Sequence, residues 1–172
     1  MKKYSLRSRV LHWMIALLAV ALLAGGFFGQ TIPIEEKAAF YSPHKSVGLT
    51  LLALMAFRIY AIRADGYPEL PAQAALWQKT LARGVQYGLY GLLLLQPLSG
   101  WVMSSASGHT PVYFGLFAVP FPFIHDAPSI AHIARNVHGV CPWLIIMLMV
   151  LHITGSIKHY FFDRDNVVQT ML

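Results

Sequence analysis

Charge is scarce in this chain of 172 residues: Asp, Glu, Lys and Arg make up 12% of it, whereas 56% is hydrophobic. A soluble domain usually carries about 25% charged residues, so an ordinary water-facing surface is excluded and lipid is the simplest explanation. Cysteine is scarcer still. The single Cys141 excludes an internal disulfide and a four-cysteine iron–sulfur cluster, and the absence of CxxCH excludes covalent c-type haem attachment. No HExxH and no clustered acidic set is present, which leaves a hydrolytic metalloenzyme without support. Acidic residues number 7 against 13 Lys and Arg, for a net charge of +6. These basic residues form no single face and gather at the ends of apolar runs, which argues against a nucleic-acid partner and for membrane topology.

A helix crossing a bilayer needs roughly 20 apolar residues. Residues 10–29 and 136–157 contain no Asp, Glu, Lys or Arg, and 46–62 contain only Arg58. From Gly84 none of these types occurs until Asp126, but Pro111, Pro120 and Pro122 break the later part. The expected fold is therefore all-α, a four-helix membrane bundle in one domain spanning 1–172. Its helices are expected near 10–29, 44–62, 84–105 and 136–160, with an outer loop near 106–135 that lies on the membrane surface. The first run is longer than the roughly 7–15 residues of a signal-peptide core and is expected to stay as a span. Trp13, Trp101 and Trp143 fall near span ends, as an aromatic belt requires.

Lys and Arg set the orientation. Lys2, Lys3, Arg7, Arg9, Arg58, Arg63, Lys79, Arg83, Lys158 and Arg164 fall on one side, ten in all, against Lys37, Lys45 and Arg135 on the other. The positive-inside rule puts both termini in the cytoplasm, with Tyr67-Pro68-Glu69-Leu70-Pro71 as the cytoplasmic turn between the second and third helices.

Of the eight histidines, four occupy matched places. His138 and His152 stand 14 residues apart in the last helix, close to four turns, so they share a face and are separated by about 21 Å along the axis. His12, at the inner end of the first helix, shares the level of His152. His44, at the outer end of the second, shares the level of His138. One histidine at a membrane end is commonly an interfacial residue, but four matched in depth and face suit two metal centres, each clamped by a pair. Neutral imidazole suits iron, and a bundle core is a common cofactor site, so two bis-histidine haem b groups are expected. Zinc or copper would need ligands gathered at one point, whereas these separate into two levels.

Arg58, 14 residues after His44, shares its face at the inner level and suits a haem propionate, as a buried guanidinium needs an anionic partner; snorkelling to the headgroups is its alternative. Arg9, Lys45 and Arg135 stand within three residues of proposed ligands and suit propionates or plain topology charge. Gly25 and Gly26 lie at the depth of the outer pair, where small residues admit a flat macrocycle or close helix packing. Lys79, Arg83, Gln86 and His159 lie toward the inner end and could hydrogen-bond a quinone. His109, His125 and His132 have no ligand spacing and read as surface residues.

The pattern resembles the bacterial cytochrome b561 family through nearly the whole chain. Leu11-His12-Trp13, His44-Lys45-Ser46-Val47-Gly48, Arg58 at the family's spacing, His138, His152 and Lys158-His159-Tyr160-Phe161-Phe162-Asp163-Arg164-Asp165 carry the likeness. It implies a four-helix di-haem cytochrome of the bacterial inner membrane that exchanges electrons with quinone. Some members take an electron from superoxide at the periplasmic face and reduce ubiquinone. Others serve as membrane subunits of dehydrogenases. Members often carry a histidine near the start of the third helix, where this chain has Gln86 and Tyr87.

Two functions from different classes follow. One is an electron conduit with its own substrates, in which Lys45 and Arg135 steer an anion such as superoxide to the outer face. The other is a haem-bearing anchor and relay whose periplasmic redox partner docks on the loop 104–135. A transporter or purely structural bundle would bind no haem.

Overall fold

The computed structural model describes residues 3–66, 74–165 and 167–172. Lys2 and the expected turn at Tyr67-Pro68-Glu69-Leu70-Pro71 lie outside them. Four long helices dominate: α1 (Leu6–Phe28), α2 (Lys37–Asp65), α3 (Leu76–Ala106) and α4 (Pro128–Lys158). A turn of wider π-helix, His159–Asp163, prolongs α4, and a short 3-10 turn, Val168–Thr170, ends the chain.

Each helix runs past its apolar core. The first starts at Leu6, where the Ser5 hydroxyl accepts the Ser8 amide at 3.3 Å and satisfies one of the unpaired N–H groups of the first turn. The fourth starts at Pro128 rather than near 136, because a proline in the first turn sacrifices no helical hydrogen bond. α2 ends at Gly66, whose φ of 80° is the left-handed conformation that glycine adopts without strain.

By length and apolar composition, α1, α2 and α4 with its π turn are each sufficient to cross a membrane. α3 is as long but more polar, carrying Gln86, Gln96, Ser99, Ser104 and Ser105. It packs between α2 and α4, so part of that polarity is turned into protein. Large apolar side chains such as Leu17, Phe57, Trp143 and Val150 point outward, the inverse of a soluble bundle and the expected surface of one dissolved in lipid.

Neighbours in sequence pack side by side: α1 on α2, α2 on α3 and α3 on α4. α1 and α4 face each other through side chains instead. Phe27 meets Trp143 at one end, with ring centres 5.0 Å apart, and His12 meets His152 at the other. Between the two histidine levels Ile15, Leu51 and Met55 form an apolar core, flanked by Leu18, Leu54, Tyr90 and Leu94.

The outer loop is shorter and more ordered than the sequence suggests. Val112–Tyr113 (β1) pairs antiparallel with Phe117–Ala118 (β2). The fully buried Ser46 ties this hairpin to α2: its hydroxyl donates to the Val112 carbonyl at 3.2 Å and accepts the Phe114 amide at 2.9 Å. Trp101 Nε1 donates to the Val119 carbonyl at 2.8 Å and the Phe121 amide donates to Ser105 Oγ at 3.0 Å. The loop thus folds down over the outer end of the bundle.

At the other end Arg7 and Ser5 both bond Asp65, joining the start of α1 to the end of α2. The C-terminal segment returns to α1 as well. The Thr170 carbonyl accepts the Tyr4 amide at 3.1 Å, the Met171 carbonyl accepts Trp13 Nε1 at 3.1 Å, and the Leu172 carbonyl accepts from Arg9.

Candidate functional site

The inner histidines come together across the gap between α1 and α4. The rings of His12 and His152 have centres 6.2 Å apart, and Trp13 packs edge-on against His12 at 5.4 Å. Two imidazoles on opposite sides of one metal, each bonded at about 2 Å, would have centres about 6 Å apart. His152 is exposed.

Arg58 stands over this pair. It is 3% exposed, its Nη1 donates to the Ser8 carbonyl at 2.6 Å, and its guanidinium carbon lies 5.8 Å from the centre of the Tyr90 ring. Both inner imidazoles are within its electrostatic range. Its recorded partners are neutral, and no carboxylate pairs with it among the described residues. A buried charge without a counter-charge is costly by several kcal/mol, so this site calls for an anion. Arg9 is only partly served, its guanidinium donating to Leu172 while its buried Nε has no hydrogen-bond partner. The facing imidazoles, the gap and the anion-seeking guanidinium together fit a haem whose propionates meet Arg58.

The outer level is built differently. His44 packs edge-on against Tyr41, with ring centres 5.7 Å apart, and faces the small residues of α1: a Cβ added at Gly25 or Gly26 would lie 3.9 or 3.7 Å from its ring. His138 is close enough to His44 for their charges to interact, but it leans on α3. Its Nδ1 donates to the Gln96 carbonyl at 2.9 Å and lies 3.1 Å from Ser99 Oγ. Lys45 Nζ donates to the His109 carbonyl at 3.4 Å, helping to hold the loop, and Arg135 is exposed on the first turns of α4.

The four side chains considered for a quinone divide into two places. Lys79 and Arg83 line one shallow groove with Thr80, Gly84 and Tyr87. Gln86 adjoins it, accepting from Arg83 at 3.4 Å and donating to the Tyr90 hydroxyl at 3.3 Å. His159 instead lines a separate pocket with Tyr160, Phe161, Arg164 and Gln169. There its Nδ1 is 2.6 Å from Asp165 and 3.4 Å from Asp163. The single cluster expected from sequence is therefore not formed, because the π turn and the carboxylates beyond it draw His159 aside.

Sequence reasoning missed several residues. Tyr4 lies near Gln86, and burial pushes its phenol above its usual pKa. Tyr90 links Gln86 to Arg58, and Gln96, Ser99 and Gly100 surround His138. The available signal was the excess of polar and small residues in the third helix.

Comparison with known proteins agrees with this architecture. The chain is 28% identical to cytochrome b561 homolog 2 of Escherichia coli (strain K12), covering 99% of this chain and 92% of that protein. It is 22% identical to the probable superoxide oxidase CybB of Yersinia pestis, over 99% of this chain and 96% of that one. The profile of the prokaryotic cytochrome b561 family matches residues 3–172. A match of that extent, on a membrane bundle of this shape, means that the chain belongs to the prokaryotic cytochrome b561 family, haem b proteins of membrane electron transfer.

Proposed function

We propose that this cytochrome is a di-haem conduit moving electrons between the periplasmic face and the quinone pool of the bacterial inner membrane. His12 with His152 hold the inner haem, and His44 with His138 hold the outer one. The observation that carries this reading is the facing of His12 and His152 at 6.2 Å beneath a buried Arg58 that no carboxylate pairs with among the described residues. When bound, the haems supply reversible one-electron transfer.

The chain's own residues do the rest. Paired imidazoles would hold each haem iron, which favours electron transfer over oxygen binding. Arg58 and Arg9 neutralise propionates at the inner level, as do Lys45 and Arg135 at the outer. Gly25 and Gly26 keep the backbone low where the outer ring lies. Lys45 and Arg135 also give the outer face a positive potential that attracts an anion. Superoxide is the donor proposed there, giving up one electron to become dioxygen. Two such electrons, with two protons from the inner side, convert ubiquinone to ubiquinol. Arg83, Gln86, Tyr4 and Tyr90 supply hydrogen bonds for the quinone, since they adjoin Arg58, whereas His159 faces another pocket.

A second reading is favoured by Phe114, Leu116 and Phe117, large apolar side chains exposed on the hairpin. In it the chain is a haem-bearing anchor and relay for a separate redox protein seated on that surface.

The test is the visible spectrum of the purified, oxidised protein under anaerobic conditions, before and after ubiquinol. A low-spin b-type spectrum that becomes reduced is the expected result. Bands that stay oxidised would favour the relay. Their complete absence, in protein made with ample haem, would overturn both readings.

A further inference from the structure

We propose that α3 holds and tunes the outer ligand: the Gln96 carbonyl and Ser99 hydroxyl fix His138 as its Nδ1–H tautomer and make the outer haem the harder of the two to reduce. This rests on the reading of His138 as a haem ligand.

The tautomer follows from hydrogen-bond chemistry. A carbonyl only accepts, so the 2.9 Å contact between His138 Nδ1 and the Gln96 oxygen requires the hydrogen on Nδ1. A neutral imidazole then has its lone pair on Nε2, the nitrogen that would ligate, where the Gln96 side-chain amide lies 3.4 Å away and would give way to the metal. Ser99 Oγ donates to the same carbonyl at 2.8 Å. With its hydrogen committed there, it meets Nδ1 at 3.1 Å as a second acceptor. The Gln96 side chain braces the other end of the histidine, its amide donating to the His138 carbonyl at 3.2 Å.

Close approach makes this possible. A Cβ added at Gly100 would stand 2.8 Å from His138 Cε1 and 3.1 Å from Nδ1. A larger residue there would force the ring off α3. Among the described residues none of His12, His44 and His152 has a recorded hydrogen bond from a ring nitrogen to the protein. The device is confined to one ligand of one pair.

Its effect has a definite sign. A ligating imidazole that donates its other N–H to a carbonyl is a stronger donor to the metal and favours the oxidised state. The outer haem then holds an electron less tightly than the inner one, which lies beside the positive Arg58. That difference favours electron flow from the outer level inward.

The experiment is a potentiometric titration of the haem-loaded protein, with electron paramagnetic resonance of its oxidised form. His138→Ala identifies which signal belongs to the outer haem. Gly100→Ala, which lengthens the Nδ1 bonds, should raise that haem's reduced-to-oxidised ratio at fixed potential about fivefold, the worth of one hydrogen bond. The inner haem should not move. Ser99→Ala should shift the g values of the same haem alone, and it carries the test if Gly100→Ala does not fold. If His138→Ala removes one haem but neither substitution moves that haem's potential or g values, the tuning role is wrong and the ligand reading stands. If His138→Ala removes no haem, the ligand reading fails first and takes this one with it.

Discussion

The inner and outer histidine pairs share a bundle but are held by different forces. At the inner level the surroundings are electrostatic: His12 and His152 face each other, and the buried Arg58 lies in range of both. At the outer level they are hydrogen-bonded: His138 is gripped by the Gln96 carbonyl and Ser99, and the hairpin is pinned to Ser46 two residues beyond His44. Charge acts through space on both imidazoles of a pair. A hydrogen bond acts on one nitrogen of one ligand. The two levels should therefore answer to different substitutions.

The comparison breaks most visibly when ligands are removed. His152→Ala and His138→Ala should each delete one haem and leave the other, halving the haem content measured as the pyridine complex. Loss of both haems from either variant would mean that the levels fold as one unit, and loss of neither would sink the ligand assignment.

Arg58→Met should act next most strongly, and at the inner level alone. Removing a buried positive charge near a redox centre favours its oxidised state, by about 1–3 kcal/mol at a protein-like dielectric. The inner haem should become harder to reduce by roughly tenfold or more, and the outer one should be unaffected. An equal shift in both would dissolve the electrostatic distinction between the levels.

Ser46→Ala sharpens the outer side. It leaves the Phe114 amide without its acceptor and should cost about 1–2 kcal/mol of local stability. Hydrogen exchange at Phe114 should quicken at least about fivefold, with the inner haem's spectrum unchanged. Unaltered exchange would show that other contacts hold the hairpin. The smallest effect belongs to Asp65→Asn, which weakens the partly exposed bond with Arg7 at the inner end. Thermal unfolding in detergent should shift only slightly, as for any solvent-screened pair.

Much of this organisation was legible beforehand because it depends on periodicity and depth. Fourteen residues between His138 and His152 mean the same face at two depths in any straight helix. His12 and His152 accordingly meet, and His44 faces Gly25 and Gly26. Arg58 falls beside the inner pair for the same reason. The third helix was harder to read, because Gln96 and Ser99 dilute an apolar run without marking any purpose. His159 misled because it stands on the same face as His152 two turns earlier, whereas the π turn changes the pitch of the backbone at that residue. The hairpin in the outer loop was also hidden, since two-residue strands leave almost no pattern.

By itself, the sequence determined the solvent, the number of long helices and the two levels of histidine, since these follow from hydrophobicity and helical rise along one dimension. Tertiary structure alone decided which neighbours each level has. The Gln96 carbonyl beneath His138 and the burial of Arg58 against Ser8 are contacts between residues 42 or more apart. Such contacts depend on how whole helices tilt and pack, and no local pattern encodes them.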